Sequence, residues 1–160
     1  KDGSLGWTAG ANARMHIDGV LATPKLTHVH LNGYITVKKK LDGDRTISSG
    51  FFISRNVDMP TGRFDDAMKN GGVLDRFHHE LSYTNEKNGL KFSTQNTYMK
   101  KHNVGESFFS GVQVSKKDAF GVKNLEMFAN AGFRADKTYA GTNSWDNNGG
   151  QATVGIKFKW

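Results

Sequence analysis

Residues 151–160, Gln-Ala-Thr-Val-Gly-Ile-Lys-Phe-Lys-Trp, alternate without a break. Ala152, Val154, Ile156, Phe158 and Trp160 fall on one side of an extended chain, and Gln151, Thr153, Gly155, Lys157 and Lys159 on the other. A period of two is the mark of a half-covered strand, and it does not say whether protein or lipid covers the apolar side. The same design recurs upstream at 5–17, 26–41, 45–56, 76–85, 90–101, 107–116 and 124–136, giving eight segments that call for little helix. In the first, Leu5, Trp7, Ala9, Ala11, Ala13, Met15 and Ile17 share one parity, with Arg14 and His16 on the other. In the second, Val29, Leu31, Gly33, Ile35 and Val37 oppose His28, His30, Asn32, Tyr34, Thr36 and Lys38.

The connectors separate into short and long. Asp42-Gly43 and Asn88-Gly89 are hairpin signals, because both residue pairs accept the positive φ of a tight turn. The connector 18–25 carries Gly19 and Pro24, poor ladder residues. The stretches 57–75 and 137–150 read as long loops, and 117–123 as an intermediate one. The expected architecture is one all-β domain over residues 1–160, an antiparallel up-and-down barrel of about eight strands with short turns at one end and long loops at the other.

Charge decides between the two ways such a barrel can face. The strand charges lie almost wholly on one parity, Lys39 and His79 being the main exceptions. A soluble barrel keeps apolar side chains inside, so one built from this chain would leave its apolar parity as an exposed girdle or bury Arg14, His28, His30, Glu80, Glu126 and Arg134. Apolar-outward, a transmembrane barrel, is the expected arrangement. No run of 18 apolar residues exists to form a membrane helix. The hydrophobic content of 36% and mean hydropathy of -0.58 do not oppose a barrel, since only every second strand residue needs to be apolar. Cysteine is absent, which fits the cytosol and the cell envelope equally. Lys1 opens the sequence with no charged and apolar leader, as expected where a signal peptide has been removed or was never present. The net charge of +7 points to anionic partners; nucleic acid ranks last, since no recognition-helix pattern accompanies the basic residues.

Two resemblances sharpen this. The ending Thr153-x-Gly155-x-x-Phe158-x-Trp160 resembles the C-terminal assembly signal of Gram-negative outer-membrane β-barrels. That resemblance implies a bacterial outer-membrane location and recognition by the outer-membrane assembly machinery through Gly155, Phe158 and Trp160. It also implies periplasmic short turns, external long loops, and outer-membrane lipid and lipopolysaccharide as surroundings. Trp7, Tyr83, Tyr98, Phe158 and Trp160 are candidates for interfacial girdles, and Lys38-Lys39-Lys40 for contact with lipid phosphates. Separately, Arg63-Phe64-Asp65-Asp66, Asn70-Gly71 and Glu80-Leu81-Ser82-Tyr83 resemble the oligogalacturonate-specific porin family. The family forms narrow, basic-lumened channels for acidic oligosaccharides, in barrels with more strands than the eight segments read here. What carries over by position is the Phe64 to Asp66 loop and Glu80.

The inward parity supplies the candidate lumen and solute-binding residues. Arg14, Lys38, Lys91, Arg134, Lys157 and Lys159 are basic, His16, His28, His30 and His78 add imidazoles, and Glu80 and Glu126 are the in-strand acids. Tyr34 and Gln95 add hydrogen-bonding groups. Two arrangements suit this set. One is a conduit favouring anionic solutes such as acidic sugars, as Arg and Lys rings do in anion pores. The other is a polar plug of pairs such as Glu80 with His78 and Glu126 with Arg134, filling a narrow interior in a non-conducting barrel whose loops bind a partner. A soluble lipocalin-like carrier is the next alternative. His28-x-His30 and His78-x-Glu80 have a spacing compatible with a metal, but polar packing explains them as well, and no metal or cofactor is expected. Ser82, near Glu80 and His78, lacks any nucleophile signature, so catalysis ranks last and an enzyme is not expected.

Overall fold

The computed structural model describes residues 3–18, 25–140, 145 and 149–158. It has eight strands: β1 (Leu5–Asp18), β2 (Lys25–Lys40), β3 (Arg45–Asp58), β4 (Val73–Asn85), β5 (Leu90–Lys101), β6 (Gly105–Lys117), β7 (Leu125–Thr138) and β8 (Gly149–Phe158). They form one antiparallel sheet in sequence order, β1 to β8, the up-and-down meander that the alternation predicts. No ladder joins β1 to β8 among the described residues, so the two edges of the sheet are open. Lys159 and Trp160, the end of the stretch that resembles an assembly signal, lie outside the described residues, as does most of the 18–25 connector, with Gly19 and Pro24.

Connector lengths sort by end with one clear exception, the three-residue 102–104 at the long-loop end. One end carries 41–44, 86–89 and 118–124; the other carries 59–72 and 139–148, together with 102–104. Both predicted hairpin signals sit in four-residue connections, Asn88-Gly89 with Gly89 at φ 66°. The stretch 57–75 is less of a loop than expected. β3 continues to Asp58, β4 begins at Val73, and a six-residue helix α1 (Phe64–Lys69) stands between them. The reason is local burial. Val29, Val57 and Val73 form one cross-strand row, and Met59 and Ala67 cover it to make the main buried apolar cluster, flanked by Leu26 and Met68. The loop 137–150 is shortened in the same way, by β7 extending to Thr138 and β8 starting at Gly149.

Pairing keeps the parities intact across the whole sheet. The row from Leu5 runs through Lys39, Ile47, Tyr83, Phe92, Val114 and Ala129 to Val154. All apolar parities therefore share one face, and all polar parities the other. The faces differ in shelter. Ser82, Ser93 and Ser115 on the polar face are buried, as is Gly50. The apolar face is open: Trp7, Leu31, Phe51, Ile53, Phe77, Leu81, Phe108 and Val112 are all exposed. Among the described residues only six apolar side chains are buried: Val57, Met59, Ala67, Val73, Ala119 and Ala135. A water-soluble domain of this size buries most of its large apolar residues. This chain displays them. No helix among the described residues is long and apolar enough to cross a membrane, which leaves strands unaddressed.

Candidate functional site

The polar face gathers its most concentrated chemistry on β2, β3 and β4. Tyr34, Phe52, His78 and Thr97 stand in one cross-strand row, because the β2–β3, β3–β4 and β4–β5 registers place them directly opposite one another. Their rings touch in sequence. Tyr34 and Phe52 stack with centroids 6.2 Å apart, and Phe52 and His78 meet at 5.7 Å. His78 Nδ1 is held by the Thr97 hydroxyl at 2.8 Å. The next row along carries Asn32, Ser54 and Arg76. His30 stands two residues further along β2, where Asn32 Nδ2 lies 3.5 Å from its Nε2. Together these residues line a cavity of about 520 Å³, within the size range of small-molecule sites.

The chemistry of this cavity is an aromatic shelf beside cations and imidazoles. Arg76 presents a permanently charged guanidinium, whose fork matches a carboxylate. Arg14 sits opposite His30 in the β1–β2 ladder, adding positive charge on the same side.

The predicted site residues divide among several places. His30, Tyr34 and His78 line the cavity. His16 pairs with His28 in the ladder but is exposed, and its Nε2 contacts Asp18 at 2.8 Å. Lys38 lies towards the short-turn end, opposite Gly6 and Ser48. Gln95 lines a narrower crevice with Phe109, Gln113 and Asn130. Glu126 and Lys157 are direct ladder partners at the far side of the sheet, near the end of β8.

The charge pairs differ from those the sequence brings to mind. Glu80 takes Lys91 at 3.3 Å, whereas His78 turns to Thr97. Arg134 takes Asp136 at 2.9 Å, not Glu126. The reason is the sheet itself: Arg134 and Asp136 stand two apart on one strand, and the long Lys91 side chain reaches along the ladder to Glu80 from four residues beyond Gln95, the direct partner of Glu80. Ser82 shares a hydrogen bond with the Ser48 hydroxyl at 2.7 Å and has no imidazole beside it. Among the described residues no three histidine or carboxylate side chains converge as metal ligands.

Sequence reasoning missed Arg76, Asn32, Phe52, Ser54 and Thr97 as site residues. Parity held the signal for Arg76, which shares a face with His78 and Glu80. Phe52 was harder, since its ring belongs to the polar face of a strand whose neighbours Phe51 and Ile53 occupy the apolar one.

No protein-family model matches the chain, and neither a curated protein nor a solved structure matches it.

Proposed function

We propose that the chain is a small barrel of a Gram-negative outer membrane whose polar face lines a narrow passage for anionic solutes, with acidic oligosaccharides as the best-fitting class. The observation that carries this reading is the cavity that sets Arg76, His30 and His78 beside the Tyr34–Phe52 shelf. Aromatic faces stack on the C–H faces of sugar rings, and a guanidinium with imidazoles attracts carboxylates. An uncharged passage would need neither. The membrane part of the reading rests on the apolar face, where large side chains from Trp7 on β1 to Val154 on β8 stand exposed. Outer-membrane lipid and lipopolysaccharide would cover that face. Gly155, Phe158 and Trp160 would present the closing strand to the assembly machinery.

Transport would be electrostatic. Arg14 and Arg76 draw the anion in, the aromatic shelf gives it a weak, sequence-tolerant footing, and Lys91, Arg134 and Lys157 continue the positive wall. Weak footholds suit a conduit, because a tightly held solute blocks it.

A second reading, the non-conducting barrel, is favoured by one feature. Rings on the polar face lie against its glycines: a Cβ at Gly10 would stand 2.8 Å from the Tyr34 ring, and one at Gly132 would stand 2.7 Å from that of Phe109. Rings laid along the wall, with Glu80–Lys91 and Arg134–Asp136 paired, narrow the bore of an eight-stranded barrel.

Single-channel recording of the refolded protein in a planar bilayer under a salt gradient separates the two. Discrete steps with an anion-favouring reversal potential, shifted towards cations by Arg76→Glu, are the expected result. A refolded, protease-resistant barrel with no conductance would overturn the channel and leave the loops as the working surface.

A further inference from the structure

The apolar face carries a recess. Ala11, Leu31, Gly33, Ile53, Phe77 and Tyr98 line a groove of about 590 Å³, bordered by Arg55 and Asp75 and, from the alternate positions of the same strands, by Asn32, Ser54 and Arg76. It exists because two neighbouring wall positions are small. Ala11 and Gly33 are ladder partners, and a Cβ at Gly33 would meet nothing closer than Ile53 Cγ1 at 3.6 Å. The row beyond the charged end is Val29, Val57 and Val73, already covered by the α1 cluster. The groove is thus an apolar slot with one polar end and a protein-covered border above it.

The polar end belongs to a ladder of alternating charge. Arg55, Asp75, Lys100, Glu106 and Lys137 follow one another across β3 to β7, each opposite the next. Both carboxylates are already engaged. Asp75 accepts from Arg55 Nε at 2.6 Å and Nη2 at 2.8 Å, and contacts His102 Nε2 at 2.9 Å. Glu106 accepts from the Tyr139 and Tyr98 hydroxyls. Three cations face two carboxylates in the row, a surplus of one positive charge, to which His102 adds when protonated.

We propose that this groove is a lipid site: one acyl chain of an anionic bilayer lipid lies along Gly33, Ile53 and Phe77, and its phosphate headgroup rests on Lys100 and Arg55. The inference rests on the membrane reading above and names one lipid position on that surface. A free anion has no use for the slot, and a neutral lipid has none for the surplus charge. Tyr98 stands between the two parts, where an amphipathic ring is favoured at a membrane boundary.

Native mass spectrometry of the refolded protein in a neutral detergent, titrated with phosphatidylglycerol, phosphatidylcholine and inorganic phosphate, tests it. The expected result is one retained phosphatidylglycerol, held several-fold more tightly than phosphatidylcholine, with no phosphate retained. Gly33→Phe fills the slot and should abolish retention of both lipids; Lys100→Gln keeps the slot and should erase the preference for phosphatidylglycerol. Equal retention of the two lipids by the unaltered protein, or retention undiminished in both variants, would overturn the site. Flotation with phosphatidylcholine vesicles keeps the two readings apart. Protein that floats but retains no lipid in detergent refutes the groove alone, while protein left unbound at the bottom of the gradient refutes the membrane reading and the groove with it.

Discussion

Phe128 leans on Gly155, its direct partner across the β7–β8 ladder, so closely that a Cβ at Gly155 would run into the ring. Lys157 reaches over the same ring, with Nζ 4.8 Å from its centre. The glycine of the closing strand thus has a packing role of its own: it is the floor on which an aromatic ring lies, and the lysine two residues on covers it. The same device pairs Gly10 with Tyr34 at the other edge of the sheet. Glycine weakens an isolated strand, and a ring laid across it from the neighbouring strand restores the lost contact.

Gly155→Val should therefore destabilise the sheet by about 1–3 kcal/mol, the usual range for overpacking. Urea unfolding in detergent measures it. Removing the ring as well, in Gly155→Val with Phe128→Ala, should cost less than the sum of the single changes, since neighbours that clash are coupled. Strict additivity would show that the ring and the glycine do not constrain each other.

Tyr139, in the connector after β7, donates to Glu106, and this hydrogen bond holds its phenol up at about 12. The ordinary value is about 10. A raised folded-state value means that the stabilisation is fully present below the ordinary value and is lost as pH rises through about 12. Phenolate absorbance should show a late-titrating component that Tyr139→Phe diminishes by one tyrosine. A late component undiminished in the variant would place the effect elsewhere.

Asp42 organises the β2–β3 turn. Its carboxylate accepts from the backbone of Asp44 at 3.3 Å and Arg45 at 3.0 Å, and pairs with the Arg45 guanidinium. The Arg45 hydrogen bond holds its pKa below the ordinary carboxylate value, with the two backbone donors helping. A depressed folded-state value gives stability that is present above the ordinary pKa and fades as pH falls through the folded one. An NMR pH titration should find the Asp42 carboxyl titrating below the ordinary aspartate value, and Asp42→Asn should flatten the acid limb of the stability curve. The pair faces solvent, so the effect will shrink in high salt.

The strand ends carry a prediction about closure. From the row that joins Leu5 to Val154, β1 extends thirteen residues (5 to 18) towards the long-loop end, and β8 only five (154 to 149). At the opposite end β1 stops on the row, while β8 continues four residues (154 to 158) beyond it. The strands step steadily in one direction, as the stagger of a barrel demands. A shear of about eight to ten would bring Val154 opposite Ala13 or Met15. Val154→Cys should then form a disulfide with Ala13→Cys or with Met15→Cys after refolding in lipid, and none with Leu5→Cys. Cross-linking to neither would show that β1 and β8 do not close on each other.

Much of the fold was legible because it rests on a two-residue period. Each strand was read from parity, and β5 came out with both ends in place, at Leu90 and Lys101. What escaped were contacts made by distant residues. The 57–75 stretch looked like loop because its Asp, Gly and Pro residues are turn formers. It is partly strand because α1 covers Val57 and Val73. Likewise Glu80 sits two residues from His78 in the chain, yet its partner is Lys91 on the next strand.

The sequence by itself determined the strands and their two faces, since parity is a local property of an extended chain; the expected sorting of charge onto one face fails in the row Arg55, Asp75, Lys100, Glu106 and Lys137, which stands on the apolar face. Only the tertiary structure decided that Tyr34, Phe52 and His78 share a row, that Ala11 and Gly33 open a groove, and that Asp75 lies between Arg55 and His102. Those neighbours are set by register, and register depends on the length of every turn and on the bulge between His16 and Ile17. A shift of one residue at any of these places would leave each strand's alternation intact and give every site a different set of residues.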